Sequence, residues 1–189
     1  MTTRTVAKKI ALTAVLAALI IGGKWALVAL PNIEIVTILI ATFAFVFGFF
    51  VSLTATVIFV LEETLVWGFH TWAISYFIYW PLVAIIFSTL GLVIKKPSIW
   101  IFTVVAVSLT IFFGFLTSLI QVGLFSGRFE RFWVRFWLVY SSGFLFYGLH
   151  VACNLALFIG VSKPLVLLLK KLKQNFFHED SCDYAIIET

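Results

Sequence analysis

The chain is short of charge. Of its 189 residues only 11% are Asp, Glu, Lys or Arg, while 63% are hydrophobic. A soluble domain of this size needs a far more polar surface, so the shortage excludes water as the main solvent and leaves lipid. No polar linker is long enough to separate two domains, and one compact membrane domain fits the length. Cysteine is scarce too. Cys153 lies in an apolar segment and Cys182 in the polar tail, which makes neither a disulfide framework nor a metal-binding spacing. The net charge of +5 does not point to nucleic acid, because nearly all Lys and Arg stand at the edges of apolar runs. There they orient spans and meet anionic lipid headgroups.

Aromatic residues are abundant at 18%, with 22 Phe and 7 Trp. Charge-free windows at 72–94, 99–125 and 136–162 are each long enough to cross roughly 30 Å of hydrocarbon. Residues 5–30 form a further span. Arg4, Lys8 and Lys9 ahead of an apolar stretch imitate a signal peptide, but apolar character resumes after Gly22, Gly23 and Lys24 and continues to Leu30. That length suits a first span better than a cleaved leader.

Residues 31–71 could form one long helix or a hairpin of two shorter ones. With six spans, Arg4, Lys8, Lys9, Lys95, Lys96, Lys163, Lys170, Lys171 and Lys173 share one side, and Lys24, Arg128, Arg131 and Arg135 the other. This nine-to-four split becomes seven to six with five spans, so the positive-inside rule favours six, with both termini cytoplasmic. Gly48 supplies the tight turn, since glycine accepts positive φ. The expectation is an all-α polytopic membrane protein with helices at 5–30, 32–47, 50–67, 72–94, 99–125 and 134–162. Pro164 is predicted to break the last helix, leaving 163–173 as an amphipathic segment on the inner surface. The polar, acidic residues 174–189 are expected to form a disordered cytoplasmic tail.

Charge inside a membrane is costly, so each polar residue there is a candidate site residue. Lys24 lies roughly 22 Å along a helix starting near Lys9. Glu34 opens the second helix just after Pro31 and Asn32, and Glu62 and Glu63 fall in the outer half of the third. His70 is in the short outer loop and Gln121 near the outer end of the fifth helix. Each taken singly is equally well explained by a paired charge or a wetted end. Together they face one mouth and fit a solute pocket better. Trp25, Trp67, Trp72 and Trp80 share that layer; an interfacial aromatic belt explains each alone, and stacking on a ringed solute is the alternative. His150 and Asn154, four apart on one helical face, serve either a helix–helix hydrogen bond or the pocket floor. On the first helix Ala7, Ala11, Ala14 and Ala18 make a small-residue stripe. Its spacing alone favours packing against an internal neighbour.

Three stretches carry a family resemblance: KKIALTAVLAALIIGGK at 8–24, LPNIEIVTILIATFAFVFG at 30–48, and GFLFYGLHVACNLALFIGVSKPLVLLLKKL at 143–172. In order and spacing they resemble the first helix, the entry to the second, and the last helix with its cytoplasmic Pro-Leu ending of the substrate-binding S components of energy-coupling-factor (ECF) transporters. The similarity runs to about Lys173. It implies a six-helix bundle, in a prokaryotic plasma membrane, that captures a vitamin or related micronutrient at an outward-facing pocket. It also implies partnership with a transmembrane T subunit and two ATPases. The family's AxxxA pattern on the first helix contacts the T subunit and matches Ala14 and Ala18, which raises docking above internal packing for the stripe. The chain has no Walker A loop, and the resemblance places ATP hydrolysis in the partners, so no enzyme activity and no cofactor are expected.

Two other readings compete. Glu62 and Glu63, with Phe146, His150 and Asn154, superficially resemble a CAAX-type intramembrane protease. That family wants EExxxR, where this chain has Trp67, and two histidines on separate helices, whereas here His150 would have to serve both motifs. A non-transporting membrane assembly protein is the third reading.

Overall fold

A computed structural model describes residues 3–31, 33–94, 96–127 and 129–187, with side chains described as far as Phe177. Every element among them is helical: α1 (Thr3–Ala26), α2 (Val36–Phe47), α3 (Phe49–Trp67), α4 (Thr71–Val93), α5 (Ile99–Ile120, continued by a π turn Gln121–Phe125), α6 (Phe132–Ser142) and α7 (Phe144–Ile187). Five helical stretches are long and apolar enough to cross a membrane: Thr3–Ala26, Phe49–Trp67, Thr71–Val93, Ile99–Phe125 and Phe144–Phe177. Their outward faces carry large apolar side chains, such as Leu65 at 85% exposure and Leu92 at 87%. Exposed apolar surface on that scale fits a helical membrane protein, where lipid covers it.

The second helix departs from the others. It has only 12 residues, about 18 Å at 1.5 Å per residue and well short of a bilayer core. Ten of them, from Val36 to Val46, are buried. No amphipathic pattern is needed on a helix enclosed on all sides, and its composition is apolar apart from Thr37 and Thr42, which are themselves buried. Gly48 then turns the chain directly into α3 with φ 84°, as the sequence predicts. On one flank α4 comes so close that a Cβ at Gly91 would lie 2.5 Å from the Phe45 carbonyl oxygen. Only a glycine permits that approach. Phe45 also meets Phe102 edge-on, 4.8 Å between ring centroids, and Phe102 meets Phe87 at 5.3 Å. These rings join α2, α4 and α5 into one core.

The last expected helix, 134–162, differs in three ways. It is divided at Gly143 into α6 and α7, where the Tyr147 ring fills the space a Cβ would need, 2.6 Å from its nearest atom. Its second part does not stop at Pro164 but continues through it. The residue four before, whose carbonyl the proline ring crowds, is Gly160, which brings no side chain of its own to that turn. Finally, 163–173 is not a separate segment but a stretch of α7 that packs on the bundle. Val166 and Leu169 belong to the buried core, and the Lys173 ammonium donates to the Val46 carbonyl at 2.6 Å. Lys8 donates to the Phe176 carbonyl at 3.0 Å, joining α7 to the start of α1. The expected disordered tail, 174–189, falls largely outside the residues whose side chains are described.

Candidate functional site

The C-terminal ends of α1, α3 and α5 meet the N-terminal ends of α2, α4 and α7 at one end of the bundle. Between them lies a cavity of about 440 Å³, within the usual range for a small-molecule site. Seven of the residues expected to form a pocket line it: Lys24, Glu34, Glu63, His70, Trp72, Gln121 and His150. The remaining three part ways. Glu62 lies aside, accepting a hydrogen bond from the Trp25 indole at 3.0 Å. Asn154 is fully buried behind the lining, and Asn32 is outside the described residues.

Glu34 does not open α2 but precedes it. One carboxylate oxygen accepts the Thr37 backbone N–H at 2.8 Å, satisfying one of the donors that a helix start leaves open. The other accepts three side chains: the Thr37 hydroxyl at 2.5 Å, His150 Nε2 at 3.0 Å and Asn154 Nδ2 at 3.2 Å. Asn154 donates in addition to the Thr110 hydroxyl at 3.0 Å, which donates onward to the Ala106 carbonyl at 2.8 Å. A buried carboxylate demands such a set of donors. The two uses open for His150 and Asn154 are therefore divided between them. Both bond across helices, and His150 alone also lines the cavity. Above this floor, Tyr76, Trp80 and Phe113 form a continuous aromatic wall, with Tyr76–Phe113 stacked at 6.1 Å and Trp80–Phe113 at 6.5 Å. Phe113 meets the His150 ring edge-on at 5.6 Å. Of the four tryptophans singled out by layer, Trp67, Trp72 and Trp80 line the cavity, and Trp25 stacks on Trp67 from outside it at 5.8 Å.

Several lining groups lack partners. One Glu63 carboxylate oxygen, the Trp80 indole nitrogen, the Thr117 hydroxyl and His70 Nδ1 are all buried without a hydrogen bond. Glu63, Trp80 and Thr117 are each more than nine-tenths buried. The Lys24 ammonium lies 5.9 Å from the centre of the Tyr76 ring, a cation–π distance. Among the described residues no group of three or more His, Cys, Asp or Glu could hold a metal ion.

Sequence reasoning passed over Tyr76, Phe113, Thr117 and Tyr147 of the lining. A signal for two of them was present. Thr110, Phe113, Thr117 and Gln121 recur at intervals of three and four, one face of α5, so Gln121 pointed to the others. Along α1, the alanine stripe is not an internal packing face. Ala7, Ala11, Ala14 and Ala18 are all exposed, and exposed Gly22 extends the row. The buried side of α1 is instead Leu16, Ala17 and Ile20.

No protein-family model, curated protein or solved structure matches the chain.

Proposed function

We propose that this protein is a solute-capturing membrane subunit of the ECF S-component kind, which binds a vitamin-like micronutrient at the cavity and delivers it with a T subunit and two ATPases. The observation that carries the reading is the cavity itself. It is an aromatic-walled space in which buried polar groups from four helices converge, several still lacking a partner, and such a combination is the usual mark of a small-molecule site. In this reading the bundle has six spans, with α2 the short one, in a cell membrane. Arg4, Lys8, Lys9, Lys96, Lys163, Lys170, Lys171 and Lys173 lie toward the end away from the cavity. The positive-inside rule then turns the cavity outward and both termini inward. Lys95 and Arg128 fall outside the described residues. The exposed row of Ala14 and Ala18 suits close approach by a partner helix, as T-subunit docking requires.

The chain acts in this scheme as a binding subunit, with no chemistry of its own. The protease alternative finds less support, since His150 Nε2 is engaged by Glu34 rather than by Glu62 or Glu63. The test is to purify the protein in mild detergent, identify co-purifying small molecules by mass spectrometry and measure their affinity. A tightly bound micronutrient is the expected result. No binding across a vitamin panel, together with cleavage of a model peptide, would instead establish the enzyme.

A further inference from the structure

Two opposite charges face the cavity without neutralising each other. Glu63 from α3 and Lys24 from the last turn of α1 both line it. No ion pair within 4.0 Å joins the two among the described residues. Lys24 sits over the Tyr76 ring instead, and one Glu63 oxygen is buried with no hydrogen bond. In a low-dielectric site, separated charges that do not meet are costly unless something lies between them. Lysine can only donate and an ionised carboxylate only accept, so a single solute that meets both presents an acceptor to one and a donor to the other. The wall they flank is the stacked array of Tyr76, Trp80 and Phe113, a surface suited to a flat ring.

Building on the solute-binding reading above, we infer that the cavity selects a zwitterionic aromatic solute, whose anionic group meets Lys24 and whose protonated amine meets Glu63 while its ring lies against the Tyr76–Trp80–Phe113 wall.

The test uses the full-length protein in detergent and a matched set of single-ring probes: 4-(aminomethyl)benzoate, 4-methylbenzoate, 4-methylbenzylamine and 4-methylbenzyl alcohol. Binding is read from quenching of the tryptophans, three of which line the cavity, and from the chemical identity of any co-purified molecule. The expected result is that the zwitterion binds about tenfold or more tighter than either singly charged probe, as close charge pairs in a desolvated site allow. Lys24→Met should then abolish the advantage over the amine alone, and Glu63→Gln the advantage over the carboxylate alone. Unfolding temperatures within a few degrees of the parent confirm that each variant is folded. Equal binding of all four probes, or a co-purified solute lacking one of the two charges, overturns the charge-pair inference and leaves the solute-binding reading standing. No quenching by any probe and no co-purified small molecule overturns both.

Discussion

Glu34 gathers five atoms around it: its carboxylate accepts from Thr37 twice, from His150 and from Asn154, and its backbone carbonyl receives the Cys153 thiol at 3.6 Å. Through these the start of α2 is fastened to α7, and the orientation of the His150 ring in the cavity is fixed. Replacing Glu34 by Ala leaves several buried donors without an acceptor, a loss of about 3 kcal/mol. A clear fall in unfolding temperature, followed by tryptophan fluorescence, is the expected outcome, and an unchanged temperature would show that the network does not stabilise the fold. His150→Ala should cost less, because Asn154 and Thr37 still serve the carboxylate. The acidic and histidine members of this network were legible because a charge stands out against an apolar background. Thr37 and Thr110 were not. Threonine is ordinary in membrane helices, where its hydroxyl bonds the carbonyl one turn back, as Thr42 and Thr56 do here at 2.7 Å each. Only three-dimensional placement shows that Thr37 serves the Glu34 carboxylate and that Thr110 accepts from Asn154.

At the scale of the helices, the charge-free windows located α4 and α5 closely, since hydrophobic length is the dominant signal for such elements. The positions that misled were Gly143 and Pro164. Proline normally ends a helix because it lacks an N–H and crowds the carbonyl four residues earlier. Here Gly160 occupies that earlier place, and the buried contacts of Val166 and Leu169 reward continuation. Two substitutions probe how the short α2 is held. Gly91→Ala pushes a methyl group against the Phe45 carbonyl, and overpacking of this kind costs about 1–3 kcal/mol. The thermal stability of that variant should drop, whereas alanine at Gly148, which has open space, should be tolerated. Lys173→Met removes the cation at the Val46 carbonyl, where the C-terminal end of a helix attracts positive charge. Amide exchange in the last turn of α2 should speed up; no change there would show that the contact contributes nothing.

For the whole molecule, two regions divide the work in the proposed function: solute at the cavity, partners along the exposed face of α1. The division predicts separable defects. Ala14→Leu combined with Ala18→Leu should leave solute affinity within about twofold of the parent while abolishing T-subunit association and uptake, because bulky side chains hold a facing helix away. Equal loss of binding and uptake would show that the stripe supports the fold instead. The stripe was visible in the sequence as spacing, but its direction was not. An alanine row looks the same whether it faces inward or out, and only the burial of Leu16, Ala17 and Ile20 on the other side resolves it. The cavity was visible as a set of polar residues at one level. Its aromatic wall was hidden among 34 aromatic side chains, 22 Phe, 7 Trp and 5 Tyr, most of which any membrane protein could place against lipid.

The enclosure of α2 also has a consequence for biosynthesis. A 12-residue helix is too short to settle across a bilayer core by its own hydrophobicity, so it must enter beside α3, to which Gly48 ties it. Its partners α4 and α7 are made later, and Lys173, which closes its far end, is made later still. Maturation therefore finishes from the C-terminal side, and nascent chains halted before Lys173 should show α2 open to protease or to labelling of a cysteine placed at Thr42. Chains extended past Phe177 should be protected. Equal protection in both would show that α2 is secured before the last helix arrives.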